Sequence, residues 1–248
     1  MSRVEVVADG VYRLEKAAVN CYLIVADDGI VLVDGGLPGS WSRLTAALRN
    51  VGATPFDISA VVLTHGHFDH VGMCDRLSWE NRVASHIHPD DQDLARHPYR
   101  YAHENARARS PVQHPAAIPI LARMTAAGAL WVKGIKAKSD VVPGSRLDLP
   151  GGLTPIWSPG HTAGHCAYFM ADRGILFSGD ALVTYDPYTA GTGPRIVAGA
   201  ATADSAVALT TLDELAATGA GLVLTGHGEP FTDGIRVAAA HARAVGPS

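Results

Sequence analysis

Residues 58–70 read ISAVVLTHGHFDH. The apolar, β-branched run ISAVVLT has the character of a buried strand, and it stops directly at His65. Three more side chains of metal-binding type follow at once: His67, Asp69 and His70. Side chains two apart in an extended chain point the same way, so His65 and His67 can grip one ion. The adjacent pair Asp69-His70 reaches in another direction once the chain turns into a helix expected over about Gly72–Trp79, and that suggests a second ion.

Working outward, three other apolar runs finish in the same manner: TPIWSPG at His161, GILFSG at Asp180 and GLVLTG at His227. A common position at strand ends places all of these residues on one rim of a sheet, where loops held by a rigid scaffold can converge. Gly66, Gly160, Gly179 and Gly226 beside them permit sharp bends and close backbone approach. Five His and two carboxylates exceed the needs of one four-coordinate ion, and a carboxylate such as Asp180 can bridge a metal pair roughly 3.5–4 Å apart. An N/O-rich set without thiolate suits zinc, and also iron or manganese. Two such ions bring a bound water to hydroxide near neutral pH, so the expected chemistry is hydrolytic, with Asp69 able to carry the nucleophile's proton to the leaving group.

The remaining chain reads as α/β. Strand-like runs cover Val4–Val7, Val11–Leu14, Asn20–Ala26 and Ile30–Asp34, with the hairpin signal Asp27-Asp28-Gly29 between the last two. Ser40 offers an N-cap to a helix that stops near Gly52. Strands resume at Arg146–Leu149, Leu153–Trp157, Cys166–Met170, Ile175–Ser178 and Leu222–Thr225, with helices over Thr202–Ala217 and Ile235–Val245. From about Pro89 to Lys138 polar and Ala residues at helical spacing are broken by prolines, which predicts a helical insertion. No repeat or low-complexity linker divides the chain, so a single domain over 1–248 is expected.

Composition narrows the function. With 47% hydrophobic and 18% charged residues in 248, the chain can bury a sizeable core, and global disorder is excluded. A formal charge of −4 gives no general excess with which to neutralise a nucleic-acid backbone; the one lysine cluster is Lys133, Lys136 and Lys138. No membrane span or signal-peptide core is legible, so a cytoplasmic protein with a small-molecule substrate is expected, and a homo-oligomer is left open. Cys21, Cys74 and Cys166 show no CxxC spacing and read as buried core residues.

His65-x-His67-x-Asp69-His70, His161 in PGHTAGH, Asp180 in SGDA and His227 in TGHGEP resemble, in order and context, the metallo-β-lactamase superfamily over roughly residues 10–230. The resemblance implies a four-layer αββα sandwich with the site at the upper edges of two sheets. It also implies one metal on His65, His67 and His161, a second on Asp69, His70 and His227, and Asp180 bridging. Only 21 residues follow His227, and Asp180 stands where class B β-lactamases commonly carry Cys. These features favour the lactonase-like hydrolases of esters, lactones or thioesters. The alternatives are the superfamily's mononuclear iron persulfide dioxygenases, which use the equivalents of His65, His67 and His161, and a non-catalytic metal-binding protein.

Three further residues are candidates for touching substrate. His165 lies four after His161 and either orients a ligand or meets substrate. Tyr185 could donate its hydroxyl to a carbonyl, as a nearby Tyr does in the lactonases of the resembled family. Trp131, with Tyr99, Tyr101, Met124 and Leu130, gives the insertion large side chains for an apolar pocket wall. His86-x-His88 lacks a following Asp-His pair, and Gly191-Thr-Gly193 lacks the rest of a dinucleotide fingerprint.

Overall fold

Runs apolar at nearly every position, with neighbours alternating between two faces, decide how the first half folds. The computed structural model describes residues 4–105 and 113–248. Strands β1 (Glu5–Ala8), β2 (Val11–Lys16), β3 (Val19–Ala26) and β4 (Gly29–Val33) form an antiparallel meander, to which β5 (Ile58–Val62) and β6 (Ala84–His86) add in parallel. In the second half β7 (Leu153–Trp157), β8 (Cys166–Met170) and β9 (Ile175–Gly179) pair antiparallel, and β10 (Val183–Tyr185) and β11 (Thr192–Arg195) make a separate hairpin. Strand β12 (Leu222–Thr225) lies parallel to β9, giving the order β12-β9-β8-β7.

Both sheets are covered on both faces. In β4, Val31 and Val33 face Tyr168, Phe177 and Leu224 of the second sheet, while Ile30 and Leu32 face outward to helices. The Tyr22 and Phe177 rings meet edge to face across the inter-sheet core, with centroids 5.4 Å apart. Helices α1 (Trp41–Asn50) and α3 (Cys74–Asn81) cover the first sheet through Leu44, Leu48 and Leu77; the short α2 (Phe68–Val71) precedes α3. Helices α4 (Gln92–Arg96) and α5 (Ile118–Ala126) belong to the segment after β6. Helices α6 (Ser205–Ala217) and α7 (Ile235–Val245) cover the second sheet through Leu212, Leu215 and Ala239. The result is the αββα sandwich, and it brings the C-terminal ends of β5, β9 and β12 to one edge.

Several local expectations need correction. Ser40 does not cap α1, because the turn Pro38–Ser40 runs straight into the helix and gives Ser40 helical angles (φ −74, ψ −13). Arg146–Leu149 forms no strand; Leu147 N–H donates to Leu153 O across a turn in which Gly151 and Gly152 take positive φ. The segment 89–138 contains only short helices among its described residues, and much of it is irregular chain stitched to the core; 106–112 lie outside the described residues. The short strands β6, β10 and β11 were not legible as apolar runs. No described helix is long and apolar enough to cross a membrane.

Candidate metal centre

Strands β4 and β5 run side by side, and the residues just past their ends build the first part of the site. Asp34 follows β4 with φ +62 and accepts Thr64 N–H (2.8 Å) and the Thr64 hydroxyl (2.9 Å) through its two oxygens. The same carboxylate lies 2.9 Å from His70 Nδ1. Thr64 Oγ1 also stands 3.0 Å from His65 Nδ1. These contacts turn the Nε2 atoms of His65 and His70 inward.

His161, Asp180 and His227 follow strands of the second sheet, β7, β9 and β12. His227 donates from Nδ1 to Ala18 O at 2.8 Å, which leaves Nε2 facing the site. His161 Nδ1 stands 3.3 Å from Thr202 Oγ1. Asp180 N–H donates to His165 Nε2 at 3.0 Å, and His165 Nδ1 bonds Ser158 Oγ at 2.7 Å. Gly226 has no room for a side chain, since a Cβ there would sit 2.1 Å from Asp180 Oδ1.

All seven side chains named from the strand ends converge and are buried. Ligand atoms of His65, His67 and His161 form one triplet, those of Asp69, His70 and His227 another, and those of His65, His70 and Asp180 a third between them, each within 4.8 Å. Asp180 Oδ2 lies 3.4 Å from His161 Nε2 and 3.3 Å from His227 Nε2, so this carboxylate spans the two outer triplets. Nε2 of His65 and of His67 are buried without a hydrogen-bond partner, and His70 Nε2 and Asp180 Oδ1, also buried, have only a long 3.4 Å contact with each other. Orphaned lone pairs of this kind are costly unless a cation receives them, and the donor set fits divalent metal.

The sequence pattern that defines the metallo-beta-lactamase superfamily matches residues 15–227. The chain belongs to this superfamily. The probable metallo-hydrolase YflN of Bacillus subtilis (strain 168) is 27% identical over 239 residues, covering 91% of this chain and 86% of that protein. Among solved structures, the metallo-beta-lactamase family protein TTHA1429 of Thermus thermophilus is similar with a TM-score of 0.71 and 24% identity, over 97% of this chain and 80% of that one. The di-iron-bound form of TTHA1623 is similar with a TM-score of 0.59 and 24% identity, over 95% of this chain and 97% of that one.

The electrostatics of this superfamily member fit cation binding. Burial, aided by neighbouring imidazoles, pushes His65 and His67 well below the usual histidine range, and His161 down to about 4, so these three rings are neutral. Burial opposes charge on His70 and His227 too. There it is outweighed, by Asp180 and Asp34 at His70 and by Asp180 and Asp69 at His227, so both rings rise above the ordinary value. Burial also works against the Asp180 carboxylate, yet His227 and His70 hold it well below the usual carboxylate range. Burial raises Asp69. The carboxylates thus demand positive charge, which protons on His70 and His227 supply and divalent ions can replace.

Two residues that sequence reasoning passed over organise the loops. Asp34 is the first. Asp91, in the turn Pro89–Asp91, is the second: its Oδ2 accepts Gly66 N–H (3.0 Å) and the Thr162 hydroxyl (2.8 Å), and its Oδ1 accepts Gly164 N–H (2.8 Å). One buried carboxylate therefore ties the loop bearing His65 and His67 to the loop bearing His161. The visible signal for Asp34 was an acidic residue closing an apolar strand; Asp91 in a polar stretch gave none.

The three substrate candidates fare differently. His165 is fully buried with both ring nitrogens bonded, so it orients Asp180 and has no atom left for substrate. Trp131 is 71% exposed and is not part of the centre. Tyr185 is half-buried and lines a cavity of about 520 Å³ with Ala18, Pro194, Gly228 and Phe231. Other tyrosines approach the centre. The Tyr101 ring packs on His67 at 4.0 Å between centroids, its hydroxyl lies 3.2 Å from that of Tyr188, and Tyr99 stacks on Phe68 at 5.4 Å. The insertion thus reaches the site through its first half, while Met124 packs into a core with Val19 and Leu37.

Proposed function

We propose that the chain is a metal-dependent hydrolase acting on a carboxylic ester, lactone or thioester of a small molecule, with two divalent ions, zinc before iron or manganese. The observation that carries this reading is the set of poorly satisfied buried atoms on His65, His67, His70 and Asp180, which belong to overlapping ligand triplets. His65, His67 and His161 would hold one ion, Asp69, His70 and His227 the other, and Asp180 would touch both. Bound there, the ions supply Lewis-acid charge and a nucleophile at the hydroxide level near neutral pH.

The protein's own groups do the rest. Asp69, whose carboxyl is raised by burial, takes a proton at its carboxylate and returns it to the leaving group. Burial, with Tyr101 and the charge of Asp69, holds the Tyr188 hydroxyl protonated well above the usual tyrosine range, so it serves as a donor to the substrate carbonyl. The cavity beside Tyr185 takes the apolar part of the substrate. It starts next to the centre, because Ala18 O accepts a hydrogen bond from His227 Nδ1–H and Gly228 follows His227.

Persulfide oxidation at a single iron uses His65, His67 and His161 and leaves Asp69, His70 and His227 without a task; a non-catalytic metal-binding protein would fill the same ligand set and is separated from a hydrolase by turnover alone. The test is elemental analysis of protein purified without chelator, coupled to a panel of esters, lactones and thioesters. Binding of about two ions per chain with turnover of one substrate class supports hydrolysis. Activity in metal-free protein overturns it, and oxygen uptake with glutathione persulfide at one iron per chain replaces it.

A further inference from the structure

Three of the chain's four lysines, Lys133, Lys136 and Lys138, lie within six residues, and the metal centre uses none of them. The segment that carries them runs along β6. Lys138 N–H donates to Ser85 O at 2.8 Å, Ile87 N–H donates to Lys138 O at 2.9 Å, and Ile135 N–H donates to Ala95 O at 2.8 Å. Ile135 and Ala137 are buried, which turns Lys136 and Lys138, two apart, to the outer side together. Facing them across a cavity of about 460 Å³ are Ser78 and Trp79 of α3, and Arg82 at the end of that helix.

Charge in this cleft is uncompensated. Asp75 is the one carboxylate among the lining residues, and it stands 3.4 Å from Lys133. Of the nearby acids, Glu80 is paired with Arg76 and Asp140 with His86, each at 2.9 Å. Among the described residues no carboxylate reaches ion-pair distance of Arg82, Lys136 or Lys138. On a protein of net charge −4, three unneutralised cations around one concavity create a local positive field that a compact polyanion would relieve. The Trp79 indole, 83% exposed, stands on the same cleft and offers a flat apolar face.

We propose that this cleft is a binding site for a nucleoside diphosphate, with the phosphates against Arg82, Lys136 and Lys138 and the base against Trp79. Guanidinium and ammonium groups donate to phosphate oxygens, and an indole stacks on a base whatever its identity. The volume falls within the roughly 300–1,000 Å³ of small-molecule sites. A nucleic-acid strand fits less well, because it requires a cationic track longer than one cleft.

The test is calorimetric titration of the full chain with ADP, pyrophosphate, adenosine and a short single-stranded oligonucleotide, alongside tryptophan fluorescence. Saturable ADP binding that quenches fluorescence and weakens with salt is expected. The Lys136→Glu/Lys138→Glu protein should bind ADP at least tenfold more weakly; Lys136→Gln/Lys138→Gln replaces it if its melting temperature falls. Trp79→Ala should remove the quench and weaken ADP at least fivefold, with pyrophosphate affinity changed less than twofold. ADP binding that survives the lysine changes lies elsewhere, the metal centre included, and overturns the assignment. Absence of saturable binding, pyrophosphate binding as tightly as ADP, or an oligonucleotide binding tenfold more tightly than ADP would each overturn it as well.

Discussion

Asp34 Oδ2 stands 2.9 Å from His70 Nδ1, so a carboxylate at the end of β4 fixes the ring of a ligand-type residue 36 positions later in the chain. Because the same carboxylate also receives Thr64, one side chain sets both the ring orientation of His70 and the path into His65. Asp34→Ala should weaken binding of the ion at His70 by about 10–100-fold. It should also cost about 1–3 kcal/mol of stability through the unmet Thr64 donors. Chelator competition and thermal melting measure the two effects, and an unchanged affinity would show that His70 is oriented by its own packing.

Asp69→Asn keeps the size of the side chain but cannot take up the nucleophile's proton. Turnover should fall at least about a hundredfold with the fold intact. Metal content must be measured on the same sample, because unchanged kcat at full occupancy excludes Asp69 as the proton carrier.

Asp91→Ala would strand three buried donors, from Gly66, Thr162 and Gly164. A loss of about 1–3 kcal/mol is expected in denaturant unfolding. Looser geometry between the two loops should lower metal affinity at His65, His67 and His161 as well. A stability loss with metal affinity intact would mean that the loops are held by packing alone.

Tyr188 and Tyr185 should separate kinetically. Tyr188→Phe removes the hydroxyl that meets Tyr101 beside His67 and should lower kcat on the order of a hundredfold, whereas Tyr185→Phe, on the cavity wall, should act on KM and substrate ranking. Steady-state kinetics over a series of acyl chain lengths would show the split, and equal effects on both parameters in both variants would count against it.

The chelated protein should have a stability maximum in pH. His161 is lowered from its ordinary value to about 4, so the unfolded chain binds its proton first, and stability drops as pH falls from about 6.5 towards 4. Asp180, held well below the carboxylate range, extends the loss into stronger acid. His70 and His227 are raised, so their contribution is full below the unfolded value and is lost as pH rises through their folded values. Thermal melts across pH with and without metal would check this, and loading should reduce the loss on the alkaline side, since metal replaces those protons.

The layers and the convergence of the seven ligand-type side chains were legible in the chain because each rests on local pattern. Apolar runs such as ISAVVLT can be satisfied only in a doubly covered sheet, and the ligand-type residues sit at or within a few positions of the ends of such runs, so strand ends and rim are one statement. Contacts between distant, irregular segments were not legible. Asp91 meets Gly164, 73 positions later, only because the path of the turn after β6 brings its carboxylate between two loops. Tyr188 in the β10–β11 turn meets Tyr101, whose ring packs on His67, and Trp131 is exposed because the insertion returns along β6 instead of over the site. Side-chain type and period are properties of neighbouring residues, whereas the direction of a loop is set by backbone hydrogen bonds to chain far away, and only the tertiary structure decides those.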